Sequence, residues 1–278
     1  VKHSPFVLLA LLVPASLAAV FVACSSSSTS GTPVTQDDAG DAATDAGSLS
    51  DASLYADVGT PIPIPDLDAG PDLLTGCTRD PGPVPPAFNP ASKKDPLVGS
   101  FSLEQAMAGF PAGSGTLTAA IYTELKGIKC TLDPVNAPIS VANFIGLARG
   151  TRPYKLKTKW QVGRFYDGLT WHRVIPDFVI QGGDPLGDGT GGPDYDLKVE
   201  NQIAEPKGTM AMASGAVPSG SQFYIVVGNG PDAQYNVFGT CDTDVAVAVA
   251  NVPRDIDGGT DKPLSPVHML RVEIARCP

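Results

Sequence analysis

Along the second half of the chain, apolar and polar residues alternate with period two over short runs, which is the pattern of half-buried strands rather than of helices. Leu117 to Leu125, Ile128 to Leu132, Leu169 to Ile175, Phe178 to Gly182, Thr209 to Ala213, Phe223 to Val227, Val237 to Thr240 and Met269 to Ala275 read as strands. The breaks between them are rich in Gly and Pro. Helix signals are few. Val141 to Arg149 is the clearest, with Ser140 as its cap, and Thr243 to Val249 is a second; Ser102-x-x-Gln105 reads as a capping box on a short helix ahead of the strands. The expected fold class is therefore mainly β. Period two also sends Phe223 and Tyr224 to opposite faces of one strand, one into the core and one to a pocket, while Trp171 and Phe144 read as core aromatics.

The front of the chain has another texture. A basic Lys2 and an apolar run from Phe6 to Ala23, broken by Pro14, lead to Cys24, the layout of a secretory signal. Phe21-Val22-Ala23-Cys24 resembles a bacterial lipobox, which implies cleavage before Cys24 and a lipid on that cysteine. An ordinary secreted protein and an uncleaved anchor are the alternatives. The lipoprotein reading places the protein in the cell envelope, on the periplasmic or extracellular side, and Ser25 after the cysteine is compatible with the outer membrane of a Gram-negative cell. From Ser25 to Pro96 the chain is Ser-, Thr-, Asp-, Ala-, Gly- and Pro-rich, so it is expected to be a disordered tether. The expected division is 1–23 signal, 24–96 linker and 97–278 folded domain, about 180 residues and a reasonable single-domain size.

Charge and cysteines sharpen this picture. Much of the acidic excess behind the net charge of −10 lies between Asp37 and Asp72, so it describes the linker and argues against a nucleic-acid partner. Of five cysteines, a lipidated Cys24 leaves Cys77, Cys130, Cys241 and Cys277, an even set that admits three disulfide connectivities. Free buried thiols are the alternative. The basic segment Arg152 to Arg164 reads as a solvated loop, with contact to an acidic client or to lipid headgroups as the second reading.

Chemistry concentrates in Phe165 to Gly192, FYDGLTWHRVIPDFVIQGGDPLGDGTGG. Arg173 projects from the same wall as Phe178 and Gln181 only if Pro176 to Phe178 forms a bulge or turn. Taken alone, an arginine after a histidine in a strand is a solvated surface residue. The segment, however, resembles the core signature of the cyclophilin family of peptidyl-prolyl cis-trans isomerases, and the match continues through Gly208 to Ile225 (GTMAMASGAVPSGSQFYI) and Tyr235 to Gly239 (YNVFG). Val141 to Gly150 fits the family's first helix, and the likeness spans roughly Gly115 to Ala275.

The resemblance implies a closed eight-stranded antiparallel barrel capped by helices, a non-covalent catalysis of X-Pro isomerisation and no cofactor. It assigns Arg173, Phe178 and Gln181 as catalytic residues. Phe178, Val179 and Tyr224 would line the apolar slot for the proline ring, Gln181 and Gln222 would hold the substrate backbone, and the main chain of Ala213 and Ser214 would pair with the peptide. Pro231 and Tyr235 complete the binding residues. It also favours Cys77 with Cys277 and Cys130 with Cys241 among the possible disulfides. The implied substrates are proline-containing segments of exported proteins, met by a monomer. The alternative is a non-catalytic module that binds such peptides.

Two departures stand out. Tyr224 occupies a position where the family usually has phenylalanine, and its hydroxyl needs solvent or a partner. Gly230 and Pro231 lie where relatives place a large aromatic and a leucine, so one wall is expected to be thinner and cyclosporin-type macrocycles to bind weakly. Other chemistries fail on the residues. GGDPLGDGTGG lacks the Gly-Lys-Ser/Thr ending of a phosphate loop, and Asp184 and Asp188 would repel an anion. Asp184, Asp188, Asp194 and Asp196 do not have the spacing of a helix-loop-helix calcium site. Three histidines, one of them in the leader, leave no zinc set, and no Gly-x-Ser-x-Gly elbow offers a hydrolytic nucleophile. His172 reads as structural, since isomerisation transfers no proton.

Overall fold

The computed structural model describes residues 72–97, 101–231 and 235–278. The leader, Cys24 and the acidic stretch up to Pro71 lie outside the described residues. In chain order the elements are β1 (Thr78–Arg79), α1 (Leu103–Ala106), β2 (Thr116–Thr123), β3 (Lys126–Leu132), α2 (Pro138–Arg149), β4 (Tyr154–Leu156), β5 (Lys159–Gln161), β6 (Arg173–Val174), β7 (Val179–Gly182), β8 (Thr209–Ser214), β9 (Pro218–Val226), β10 (Val237–Cys241), α3 (Asp244–Ala250) and β11 (Arg271–Cys277). Among the described residues no helix is long and apolar enough to cross a membrane.

Nine strands form one antiparallel sheet in the order β1-β11-β2-β3-β10-β8-β9-β7-β6, and β4 and β5 make a separate hairpin. The mainly β expectation holds. The closed eight-stranded barrel does not appear as a continuous ladder: Leu169 to Trp171, expected to be strand, pair with Val267 to Met269 only through an isolated Thr170–His268 bridge and a few bonds such as Trp171 N–H to Val267 O at 2.9 Å. Pairing of β6 with β7 is limited to two residues on each side. The reason lies in the turn that follows, where Pro176 lacks a ladder donor and Asp177 adopts a left-handed φ of 56°.

Alternation along the strands divides the apolar residues between two faces. Ile121, Ile128, Phe223, Ile225 and the α2 residues Val141, Phe144 and Ile145 belong to the main core. Phe144 and Trp171 both meet Phe223 edge to face, at 5.4 and 5.5 Å between centroids. On the opposite face Val179, Ala211, Tyr224, Val226 and Val237 form a second cluster. Phe223 and Tyr224 thus part as period two requires.

The helices follow the sequence with one instructive exception. Ser102 and Gln105 form the expected capping box on α1. α2 begins at Pro138 with Ala137 as its N-cap, so Ser140 sits inside the first turn and caps nothing in the usual way. Instead the carboxylate of Glu200 accepts the backbone N–H groups of Ile139 and Ser140 at 2.6 and 2.8 Å, and the Ser140 hydroxyl at 2.5 Å. A negative charge on the free donors of a helix start is favourable wherever in the chain it comes from.

Two further expectations are corrected. Residues 72–96, assigned to the linker, pack against the domain: Leu74 is buried, Cys77 is joined to Cys277, and Asp80 and Asp95 pair with Arg149 and Arg152. The supposed basic loop Arg152 to Arg164 contains the β4–β5 hairpin, with Tyr154 and Trp160 buried. Arg152 is not turned to solvent. It is bonded to Asp95 at 3.0 and 2.5 Å and lies over the rings of Phe101 and Tyr195, 5.1 and 4.2 Å from their centroids. The second disulfide joins Cys130 to Cys241, directly opposed residues of β3 and β10.

Candidate active site

Cross-strand register brings the predicted residues into a row. Arg173 of β6 faces Gln181 of β7, Gln181 faces Tyr224 of β9, and Tyr224 faces Ala211 of β8. Partners in antiparallel register point to the same side of a sheet, so all four emerge on the face away from the main core. The Pro176–Phe178 turn then delivers Phe178 to this face. It is locked from outside by the N–H groups of Val227 and Asn229, which donate to Phe178 O and Asp177 O at 2.9 and 2.8 Å. Gly228 is required there, because a Cβ would collide with the backbone of Asp177. The guanidinium carbon of Arg173 comes to 5.9 Å from the centroid of the Phe178 ring. Among the described residues Arg173 forms no salt bridge, so its N–H groups remain available to a ligand.

The result is a cleft of about 190 Å³ lined by Arg173, Phe178, Val179, Gln181, Ala213, Ser214, Tyr224, Pro231 and Tyr235. Ala213 occupies a register shift between Met212 and Ser214, a bulge that frees backbone from the ladder at the mouth of the cleft. Tyr235 stands edge-on to Tyr224 at 5.7 Å. One end is therefore apolar and aromatic, and the other carries a cation, an amide and free main chain.

Gln222 is the residue that the structure places differently. It is buried behind Gln181 and is not among the residues lining the cleft. Its Nε2 donates to the carbonyls of Gly189 and Gly191 at 2.9 and 2.8 Å, and its Oε1 accepts from Gln181 Nε2 at 3.0 Å. Carbonyls can only accept, so the Gln222 nitrogen must face the glycines, and Gln181 must turn its own nitrogen inward. Gln181 thereby shows its amide oxygen to the cleft.

The glycine-rich bend is held by Asp184. This buried carboxylate accepts the N–H groups of Leu186, Asp188 and Gly189 at 2.8, 3.1 and 2.5 Å. Among the described residues no group of three or more His, Cys, Asp or Glu is placed to hold a metal. His172 is buried and neither ring nitrogen has a hydrogen-bond partner among the described residues. Burial lowers its pKa, against the opposing pull of Asp184, which keeps the ring neutral behind the site. Burial also pushes the Tyr224 phenol far above its ordinary pKa, reinforced by a hydrogen bond to Glu205. Glu205 was not foreseen. The tyrosine hydroxyl signalled the need for a partner, but no spacing or motif points to its identity.

The family model described as cyclophilin type peptidyl-prolyl cis-trans isomerase/CLD matches residues 118–274. The chain is 39% identical over 170 residues to peptidyl-prolyl cis-trans isomerase A of Mycobacterium tuberculosis, a match that covers 58% of this chain and 93% of that protein. It is 40% identical over 168 residues to the probable peptidyl-prolyl cis-trans isomerase A of Mycobacterium leprae, covering 57% of this chain and 92% of the relative. Among solved structures, a Cryptosporidium parvum cyclophilin type peptidyl-prolyl cis-trans isomerase crystallised in the presence of the dipeptide Ala-Pro is 26% identical, with 56% of this chain and 98% of that chain covered and a TM-score of 0.47.

Proposed function

The chain belongs to the cyclophilin-type peptidyl-prolyl cis-trans isomerases, and from that premise we propose that it accelerates X-Pro rotation by non-covalent stabilisation of the twisted peptide bond, with Arg173 as the central donor. The barrier of roughly 18–20 kcal/mol comes from delocalisation of the nitrogen lone pair into the carbonyl. In the twisted state that pair is localised on the proline nitrogen and accepts a hydrogen bond. A guanidinium is always charged and offers several donors in one plane, so it favours this state over either planar one. The observation that carries the reading is the Arg173–Gln181–Tyr224 row, with Phe178 beneath the guanidinium. Phe178, Val179 and Tyr224 would hold the proline ring, while Gln181 and the main chain at Ala213 and Ser214 would hold the peptide. No proton moves, which suits a neutral His172 that has no hydrogen-bond partner among the described residues.

Nuclear magnetic resonance exchange spectroscopy on an X-Pro peptide, with the purified full chain and no coupling protease, tests this reading. Acceleration is expected; binding without acceleration would favour the second reading, a peptide-binding module, for which the Tyr224 substitution is the specific observation. Cyclosporin is expected to inhibit only weakly, because position 230 carries no side chain to meet a macrocycle, and inhibition at nanomolar concentration contradicts this.

The clients would be exported proteins, met at the cell envelope by an enzyme anchored through a lipid on Cys24. The support is the lipobox-like run Phe21 to Cys24 and two disulfides, which persist where thiols are not kept reduced. Labelled palmitate should enter the wild-type chain and not Cys24→Ala; equal labelling of both, or of neither, removes the anchor.

A further inference from the structure

The wall beside Pro231 is shaped by what lies against Gly230. With glycine at position 230 the wall should be thin, yet a Cβ on Gly230 would collide with the carbonyl oxygen of Glu205. The backbone of Gly230 and the segment ahead of β8 are packed so closely that no side chain fits between them. Glu205 is 6% exposed, and its Oε2 accepts the hydroxyl of Tyr224, which is 4% exposed and lines the cleft. The tyrosine ring is thus held at two places: by the carboxylate at its tip and by the perpendicular ring of Tyr235.

A buried phenol must place its hydrogen on an acceptor. Deprived of one, Tyr224 would keep an unpaired hydroxyl in an apolar cluster, a cost that drives the ring toward water and so removes the surface that a proline ring packs on. A carboxylate acceptor makes the bond charge-assisted and stronger than one to a neutral group.

We infer that Glu205 is a positioning residue of this cleft: by holding the Tyr224 hydroxyl its carboxylate fixes the phenol ring as the wall of the proline slot, while its backbone carbonyl takes the space that a side chain at position 230 would need. Glu205 touches no substrate. Its influence falls on how tightly the proline ring is held, therefore on KM, and leaves the work of Arg173 and kcat unaltered. The inference rests on the isomerase reading given above.

Exchange spectroscopy for kcat and KM, and chemical-shift titration with an X-Pro peptide for Kd, both on the full chain, test it. Glu205→Ala should raise KM and Kd about tenfold with kcat within about twofold of wild type. Glu205→Gln keeps an acceptor and should stay within about twofold in both. With no hydroxyl left to satisfy, Glu205→Ala made in a Tyr224→Phe background should change KM by less than about twofold relative to Tyr224→Phe alone, a rescue that general loosening of the fold would not give. Gly230→Ala, which presses on Glu205 without altering either partner, should raise KM like Glu205→Ala. An unchanged KM in Glu205→Ala, or an equal rise in KM in the Tyr224→Phe background, overturns the inference. Where Glu205→Ala does not fold, Gly230→Ala decides, and an unchanged KM there overturns it equally. Absence of catalysis by wild type would instead defeat the isomerase reading, while the Kd series would still report on Glu205.

Discussion

Arg173→Ala is expected to lower kcat/KM for X-Pro exchange by about 100- to 1,000-fold, the range measured when one pre-positioned donor to a transition state is removed. That corresponds to about 3–4 kcal/mol of a barrier of roughly 18–20 kcal/mol. The effect should be large because, among the described residues lining the cleft, no other carries positive charge: they are Arg173, Gln181 and otherwise aromatic, aliphatic or hydroxyl groups. It should fall on kcat rather than on binding, since the proline ring is held by Phe178, Val179 and Tyr224, which the substitution leaves in place. Arg173→Lys should recover only a small part, because an ammonium keeps the charge but not the planar fork that reaches nitrogen and carbonyl together. Peptide Kd, followed by titration, should change by less than about threefold in either variant. A rate equal to wild type in a folded Arg173→Ala protein would remove the arginine from the mechanism.

Asp80→Ala is expected to destabilise the protein by about 3–5 kcal/mol, the cost of leaving a buried charge without its partner. Arg149, in the last turn of α2, has a side chain 1% exposed and is bonded to Asp80 through Nε and Nη2 at 2.9 and 2.7 Å. Its remaining donors go to the carbonyls of Ala106, Ala108 and Gly82, at 2.5, 3.1 and 3.3 Å, and the guanidinium lies 5.4 Å from the Phe110 centroid. Carbonyl dipoles solvate the cation but do not neutralise it. One side chain therefore ties the helix that caps the core to the 80–110 arm, and truncating the aspartate should loosen both. Urea unfolding of the two proteins measures the difference. Arg79→Ala is the control, because that arginine is 44% exposed and its loss should cost under about 1 kcal/mol. If Asp80→Ala shifted stability no more than Arg79→Ala does, the arm would not be anchored through Arg149.

What could be read from the sequence was local. Period two separated Phe223 from Tyr224, the Pro176–Asp177 break announced the turn that turns Phe178 to the side of Arg173, and Ser102 with Gln105 declared their own helix start. What escaped depends on partners distant in the chain. Ser140 was an acceptable cap by its neighbourhood, and only the fold reveals that Glu200, 60 residues on, supplies the negative charge. Residues 72–96 have the composition of a linker, and composition does not register that two aspartates meet buried arginines. Arg152 looked solvated because basic residues surround it, whereas its contacts come from Asp95, Phe101 and Tyr195. The resemblance gives Gln222 to the substrate backbone, but whether an amide meets substrate or backs another amide depends on where the glycine-rich bend folds.

The Cys77–Cys277 bond has a mechanical consequence. β1 lies along β11, and Cys277 is itself held opposite Thr116 of β2. Without the bond, tension on the chain ahead of Cys77 would unzip the arm from its end, one residue at a time and at low force. With it, the load passes at Cys77 into the final strand and is carried in shear across the β11–β2 ladder. β1 is then spared from peeling, and the domain yields under load only when its sheet does.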